Sequence, residues 1–134
     1  MKLSLLGEER YKAAVAIVYD DYGNLLLGKA KTNDDRNGKW CFPGGGIKPG
    51  ECPGEASARE CQEETGIFVK PQQMSFSYCE KPGVAFVVCR KVSGCLDPNH
   101  EFSELKWVPR DKWFKLDLYP VNYSILSVAE AGFP

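Results

Sequence analysis

Histidine is almost absent from the 134-residue sequence, which contains His100 alone, in a segment that we predict to be a loop. The six cysteines include no C-x-x-C pair, so the sequence does not predict a structural zinc site. No apolar run approaches the length of a membrane-spanning helix or a secretory signal. We therefore expect a cytoplasmic protein with no membrane partner and with reduced cysteines.

A strong excess of either charge is also lacking, because the formal net charge is −1. This balance gives no general basis for attraction to polymeric nucleic acid. With 43% hydrophobic and 26% charged residues, the chain has enough material for one core and too little for two. No repeat or low-complexity tract is present. We predict a single domain over residues 1–134.

Residues 45–67, with the sequence GGIKPGECPGEASARECQEETGI, are the most informative segment. On a helix, Glu60, Glu63 and Glu64 fall within a sector of about 100° and present their carboxylates to the same point. Each like-charged pair costs about 0.2–0.5 kcal/mol on an exposed helix, until a cation binds. Oxygen ligands of this kind suit Mg²⁺ or Mn²⁺, which also take ligands from substrate phosphates. The cluster predicts a magnesium site for phosphate chemistry.

The ends of this helix are marked by two residues. Pro53 suits the first turn, where its missing N–H is not needed, and Gly66 suits the residue just past the end. The helix is therefore predicted to begin near Glu51 or Cys52.

The rest of the helical wheel predicts how the segment packs. Ala58, Cys61 and Thr65 form a narrow stripe of small residues roughly opposite the carboxylates. Arg59 lies four residues before Glu63 and is close enough to hold a ligand carboxylate in place, or to form an ordinary surface ion pair. One face is predicted to pack closely while the other faces the metal.

Apolar, β-branched and aromatic runs predict the remaining elements. The predicted strands are residues 11–19, 25–31, 40–43, 67–69, 74–79, 84–92 and 105–108. The turn composition of residues 20–24 predicts that the first two strands form an antiparallel pair, and Pro43 is predicted to end the third. A second, amphipathic helix is predicted over residues 121–131. This order predicts a mixed α+β fold and not a doubly wound sheet.

The segment resembles the Nudix box, in which Gly is followed after five residues by Glu, and after seven more by Arg-Glu. An apolar residue, any residue, Glu-Glu, any residue, Gly and an apolar residue complete the pattern. Every slot is filled here, by Gly45, Glu51, Arg59, Glu60, Cys61, Glu63, Glu64, Gly66 and Ile67. Cys61 stands where a larger aliphatic residue is common. The resemblance implies a MutT-like Nudix hydrolase with an α/β/α sandwich, a mixed sheet and a loop-helix-loop catalytic unit.

For this family, the resemblance implies hydrolysis of a nucleoside diphosphate linked to another moiety, with Mg²⁺ as the cofactor and Mn²⁺ as the alternative. By motif position, the implied metal-binding residues are Gly45, Glu51, Glu60, Glu63 and Glu64, with Glu51 either joining or supporting the site. Glu63, Glu64 and Arg59 are also implied to be catalytic.

The family places its general base variably, and often on a glutamate in a late loop. Glu101 and Glu104, in the segment HEFSELKW, are the two candidates. Alternation along a short strand could equally make Glu104 a solvent-facing residue.

Substrate-binding candidates come from cations and aromatic residues near the box. The cations suited to phosphates are Lys29, Lys31, Arg36, Lys39 and Lys48, each of which could also be an ordinary surface residue. A nucleobase needs an apolar slot, to which Trp40, Phe42, Phe76, Tyr78, Phe86 and Trp107 could contribute if they are not simply core residues. Phe86 is the aromatic residue that we assign to the substrate.

Three functional hypotheses remain open at this point. The first is a (d)NTP pyrophosphohydrolase that gives a nucleoside monophosphate and pyrophosphate, which the short chain favours by analogy. The second is a hydrolase of a nucleotide sugar, a dinucleoside polyphosphate or an RNA cap. The third is a non-catalytic nucleotide sensor on the same fold. The expected partner is a small nucleotide, and a homodimer is the default oligomer.

Overall fold

The computed structural model of the protein describes residues 11–98 and 101–132, without the side chains of residues 73 and 74. His100 and residues 1–10 therefore lie outside the described residues. The strands are β1 (Ala13–Tyr19), β2 (Leu25–Ala30), β3 (Trp40–Cys41), β4 (Gly44–Gly46), β5 (Ile67–Tyr78), β6 (Lys81–Gly94) and β7 (Phe102–Val108). The helices are α1 (Pro53–Thr65) and α2 (Val121–Ala131), with a short 3-10 turn at Trp113–Lys115. Neither α1 nor α2 is long and apolar enough to cross a membrane.

The strands form one mixed sheet. Its central order is β3-β2-β1-β6-β5, with β4 paired to β1 and β7 paired to β2. Strands β1 and β6 run parallel, from the pair Ala13–Val84 to the pair Tyr19–Arg90, while the other pairs are antiparallel. The predicted antiparallel pairing of the first two strands is confirmed, and so is the mixed α+β class.

The two helices cover opposite faces of this sheet. On the α1 face, Cys61 packs into a cluster with residues of β1, β2, β5 and β6, namely Ala16, Val18, Leu26, Ile67, Val87 and Cys89. On the α2 face, Ile125, Leu126 and Ala129 join a larger cluster that includes Ile17, Leu27 and Phe86. Each helix thus buries its apolar stripe against the sheet. The predicted sandwich and the predicted second helix are confirmed.

The start and end of α1 are held by local hydrogen bonds. The Cys52 thiol accepts from the Glu55 N–H at 3.5 Å, and the Glu55 carboxylate accepts from the Cys52 N–H at 2.9 Å. This is a capping box with cysteine in the place usually taken by serine or threonine. At the other end, Gly66 adopts the left-handed conformation with φ at 80°. The predicted helix ends at Pro53 and Gly66 are therefore confirmed.

Two features of the sheet differ from the sequence prediction. The strands predicted at 67–69 and 74–79 form one continuous strand, β5, which passes through Pro71. Proline is tolerated there because β5 lies at the edge of the sheet, where an N–H is not needed on the outer side. Strand β4 was not predicted, because three glycines carry no β propensity of their own.

The predicted packing stripe of α1 is also partly wrong. Cys61 and Thr65 are buried, but Ser57 is fully buried in the place assigned to Ala58, which is half-buried. Glu64 is buried beside Thr65 and is only 5% exposed. The carboxylates are therefore not all on the face opposite the sheet.

Candidate active site

Strand β4 brings the glycine segment against both β1 and α1. A Cβ atom at Gly44 would lie 2.6 Å from the carbonyl oxygen of Ala14 and 2.8 Å from the Cα of Val15, so only glycine permits this approach. The Gly44 N–H donates to Glu64 Oε1 at 2.9 Å. The backbone of β4 thereby fixes the orientation of a carboxylate that comes from α1.

The next glycine makes room for a second carboxylate. A Cβ atom at Gly45 would lie 2.6 Å from Glu60 Cδ, which is shorter than any normal contact. The Glu60 carboxylate therefore lies directly on the backbone of β4, and any side chain at position 45 would displace it.

Arg59 joins the box loop to the helix. Its Nε and Nη2 donate to the two oxygens of Glu51, at 2.7 and 3.0 Å. Its Nη1 donates to Glu60 Oε1 at 2.8 Å and to Glu63 Oε1 at 3.2 Å. The hydrogen bonds from Arg59 to Glu51, together with one from the Lys48 N–H, lower the pKa of Glu51 to about 2, so that carboxylate stays ionised. One guanidinium thus orients three of the box glutamates, and its single positive charge offsets part of their negative charge.

Glu64 occupies a different environment from the other glutamates. Burial raises its pKa well above the ordinary value, and a hydrogen bond to Glu101 adds to this effect. Two carboxyl groups that share a hydrogen bond must hold one proton between them. The structure therefore brings Glu101, from the segment before β7, against a box glutamate of α1.

The helical wheel predicted that the box carboxylates converge on a single point, and in the structure they do not. Within residues 11–98 and 101–132, no group of three or more His, Cys, Asp and Glu side chains is placed to hold a metal ion. Glu60 and Glu63 are turned toward Arg59, whereas Glu64 is turned toward Gly44 and Glu101. The physical reason is the positive charge of Arg59, which attracts Glu60 and Glu63 and which the helical wheel does not consider.

Glu104, the second candidate base, lies elsewhere. It is paired directly across the sheet with Lys29, and its carboxylate is 3.9 Å from the Lys106 ammonium. The Lys106 ammonium in turn lies 5.2 Å from the ring centroid of Trp40, a residue of the α2-face cluster. Alternation along β7 therefore places Glu104 on the α2 side of the sheet, where no described contact joins it to the box.

An apolar cavity of about 230 Å³ opens beside Gly44 and Gly45. It lies on the α2 face, and its wall includes Phe86, which stacks on Phe76 with ring centroids 5.6 Å apart. The other lining residues are Ala13, Val15, Arg36, Cys41, Phe42, Lys81, Val84, Tyr119, Val121, Asn122 and Ile125. The cavity and the carboxylates thus share the glycine segment as their border.

The predicted substrate cations are distributed unevenly around this cavity. Arg36 lines it, held by an ion pair with Asp34 at 2.9 Å. Lys29, Lys31 and Lys39 do not line it, and Lys39 instead pairs with Asp117 at 2.9 Å. The backbone N–H of Lys31 donates to the Glu101 carbonyl at 2.8 Å, and that of Lys48 donates to Glu51 Oε1 at 3.0 Å.

Asn122 is a cavity residue that the sequence reasoning did not identify. It is 6% exposed, and its side chain makes no hydrogen bond within the described part of the chain. No fully enclosed side-chain nitrogen or oxygen of the described residues lacks a partner, so the Asn122 amide must be reachable from the cavity. The sequence signal was an asparagine three residues before Ile125 and four before Leu126, within the apolar stripe of α2.

The donor set beside the cavity suits a hard divalent cation. It offers carboxylate oxygens from Glu60, Glu63, Glu64 and Glu101 with no sulfur or imidazole nitrogen, and these side chains would have to rotate from their present partners to bind one cation together. A cation would remove the cost of burying Glu64 beside Glu101. It would also compete with Arg59 for Glu60 and Glu63.

Comparison with known proteins agrees with this geometry. The family model described as the NUDIX domain matches residues 9–127. The chain is 30% identical over 128 residues to the nucleoside triphosphatase NudI of Enterobacter sp. (strain 638), covering 81% of the chain and 89% of that protein. It is 31% identical over 65 residues to an 8-oxo-dGTP diphosphatase of Proteus vulgaris, covering 48% of the chain and 58% of that protein.

A solved structure gives the same result for the fold. The crystal structure of a MutT protein from Methanosarcina mazei Go1 superposes with a TM-score of 0.69 at 27% identity, covering 91% of this chain and 94% of that one. The box, the mixed sheet between two helices and these matches lead to one conclusion: the chain belongs to the Nudix family and is a Nudix hydrolase.

Proposed function

We propose that the protein is a Mg²⁺-dependent pyrophosphohydrolase of nucleoside triphosphates, which converts a (d)NTP into a nucleoside monophosphate and pyrophosphate. The observation that carries this proposal is the position of the box carboxylates, which are held by Arg59, Gly44 and Glu101 at the border of an apolar cavity that Asn122 lines. The carboxylates suit a metal-bound phosphate chain, and the cavity suits a nucleobase. Both named relatives act on nucleoside triphosphates by their descriptions, which supports the same substrate class.

The reaction requires water to attack a phosphorus atom while a bridging P–O bond breaks. When bound, Mg²⁺ would neutralise charge on the phosphate oxygens and make the water more nucleophilic. We assign metal binding to Glu60, Glu63 and Glu64, with Glu51 supporting them through Arg59. By holding Glu51 and Glu60 at 3.0 Å or less, Arg59 limits the number of positions that these carboxylates can adopt.

The proton of the attacking water needs an acceptor. We assign this role to Glu101, because it contacts the box at Glu64 and because the backbone N–H of Lys31 fixes its carbonyl at 2.8 Å. Glu104 is the weaker candidate, since it faces Lys29 and Lys106 on the α2 side of the sheet.

The nucleobase and the phosphates of the substrate occupy adjoining places in this proposal. The nucleobase lies in the cavity against Phe86, where the Asn122 amide can donate to and accept from its edge. Arg36 lines the same cavity and supplies positive charge to the nucleotide, whereas the remaining lysine candidates would act at longer range.

A substrate panel with identified products tests this proposal. It contains (d)NTPs, ADP-ribose, nucleotide sugars, dinucleoside polyphosphates and capped RNA, each with Mg²⁺ and with Mn²⁺. We expect the highest kcat/KM for a (d)NTP, with pyrophosphate as a product. A phosphorylated second product without pyrophosphate would indicate the alternative hydrolase, and tight nucleotide binding without turnover would indicate a sensor.

Gly45→Ala is expected to lower kcat/KM by about tenfold or more and to raise the Mg²⁺ concentration for half-maximal rate. The added Cβ would push against the Glu60 carboxylate, and sub-ångström misplacement of a catalytic group is costly. Gly46→Ala is the matched control, because a Cβ there would be 4.0 Å from its nearest neighbour, the Lys12 carbonyl oxygen. Equal rates for the two variants would contradict the role of position 45.

Asn122→Ala is expected to raise KM by about tenfold with little change in kcat, because the lost interaction is with the base and not with the reacting phosphorus. The differences in KM among the four dNTPs should also shrink. Steady-state kinetics on each dNTP would measure both effects. Ser127→Ala, at an exposed position on the same helix, is the control. Unchanged discrimination among the dNTPs would rule out base recognition by Asn122.

Three further expectations belong to this proposal. We propose that the protein acts in the cytoplasm on small nucleotides, that residues 1–134 work as a single domain, and that a homodimer is its default assembly. Light scattering of the purified protein would measure the oligomeric state.

A further inference from the structure

A groove lies next to the apolar cavity to which we assign the nucleobase. This groove of about 530 Å³ is lined by Asp35, Lys39, Glu80, Lys81, Tyr119, Pro120, Val121 and Ser124. Three of these residues, Lys81, Tyr119 and Val121, also line the cavity. The side chains of these three residues therefore form a wall between the cavity and the groove. The Tyr119 ring is the largest group in this wall.

Tyr119 is held in this wall from three directions. Its hydroxyl donates to Asp35 Oδ2 at 3.3 Å and accepts from Lys81 Nζ at 3.5 Å. The Lys81 ammonium also lies 5.0 Å from the centroid of the ring. The backbone N–H of Tyr119 donates to the Trp40 carbonyl at 3.1 Å, and its carbonyl accepts from the Asn122 N–H at 2.8 Å. Segments that are distant in the sequence thus fix one phenol ring.

Lys81, at the start of β6, stands across β1 from the glycine segment, and the Tyr119 hydroxyl reaches Lys81 from the β3 side, where the Tyr119 backbone is bonded to Trp40. At Ala13, strand β1 is paired with Gly46 of β4 on one side and with Val84 of β6 on the other. Two strand spacings amount to about 10 Å, so the start of β6 is at least that far from β4. A nucleotide whose phosphates lie at Gly45 would therefore direct the far edge of its base toward Lys81 and Tyr119.

We propose that Tyr119, braced by Asp35 and Lys81, is a specificity-determining residue that sets the largest base the enzyme accepts. This inference rests on the proposed function, because it assigns the cavity to the base. With the ring in place, the base must end inside about 230 Å³. Without the ring, the cavity joins the neighbouring groove and admits bases with bulky substituents.

The test compares unmodified dATP with analogues that carry a benzyl group at N6 or at C8. Wild-type enzyme is expected to show at least a tenfold lower kcat/KM for an analogue than for dATP, since the Tyr119 ring occupies space that the added group would need. Tyr119→Ala should raise the ratio of analogue to dATP kcat/KM by about tenfold or more. Tyr119→Phe keeps the ring and should leave the ratio close to wild type. Tyr22→Ala, at a position that is 90% exposed, is the remote control.

The outcomes separate this inference from the proposed function. Wild-type enzyme that hydrolyses no dNTP would contradict the proposed function. Hydrolysis of dATP with an unchanged ratio in Tyr119→Ala would overturn the role of Tyr119 alone, and so would a wild-type enzyme that accepts both analogues as well as dATP. If Tyr119→Ala does not fold, Lys81→Ala opens the same wall, and an unchanged ratio in that variant would also overturn the inference.

Discussion

Glu64→Gln is expected to lower kcat by at least about a hundredfold while leaving the fold intact. The glutamine amide can still accept from the Gly44 N–H and can still donate to Glu101, so the neutral hydrogen bonds of the buried carboxyl are preserved. It cannot supply the negative charge that a metal ligand needs. Turnover and metal binding should therefore fail together in a folded protein.

The stability of the same variant gives an independent check. The pKa of Glu64 is raised in the folded protein above its ordinary value of 4.5. The folded state then holds a proton that the unfolded state releases, and the contribution of Glu64 to stability falls as the pH rises above that ordinary value. Glutamine does not ionise, so Glu64→Gln does not lose stability in this way as the pH rises. In EDTA at pH 7, Glu64→Gln should melt at the wild-type temperature or above it.

Two measurements would contradict this prediction. The first is a kcat within a few-fold of wild type at saturating Mg²⁺. The second is a large fall in melting temperature in EDTA, which would mean that the activity was lost through misfolding. Calorimetry and steady-state kinetics on one preparation would provide both.

Glu101→Gln should lower kcat by at least about a hundredfold, and Glu104→Gln should change it little. The two residues are three positions apart in the sequence, but only Glu101 contacts a box carboxylate. The pair is therefore a matched comparison of a carboxylate at the site with one on the α2 side of the sheet.

The reverse result would identify Glu104 as the base and would require strand β7 to present it to the box in the working enzyme. A wild-type kcat in both variants would place the general base outside this segment.

The sequence was most informative where function depends on local spacing. The helix start at Pro53, the left-handed Gly66 and the placement of three glutamates on one helix follow from the periodicity of a single helix and its caps, and the other box positions follow from the resemblance to the Nudix box. Even there, the wheel could not show that Glu64 is buried or that Arg59 pairs with Glu60 and Glu63. The orientation of Glu64 depends on Gly44 of β4 and on Glu101 of the segment before β7, which are distant from α1 in the sequence.

The substrate cavity was the least predictable part, because pairing across the sheet creates it. Phe86 and Arg36 were predicted to bind substrate, and the structure places both in the cavity wall, whereas Lys29 and Lys39 are paired elsewhere. Asn122 reaches the cavity only because α2 covers that face of the sheet. Residue type and spacing cannot distinguish a lysine paired in the sheet from one that faces a ligand.

The most direct test of the account is hydrolysis of a dNTP in EDTA and then after addition of Mg²⁺, with both products quantified. We predict no turnover in EDTA and, after Mg²⁺ is added, formation of nucleoside monophosphate and pyrophosphate in equal amounts. Binding of the dNTP without any turnover in Mg²⁺ would contradict the account, and so would turnover that is unchanged by EDTA.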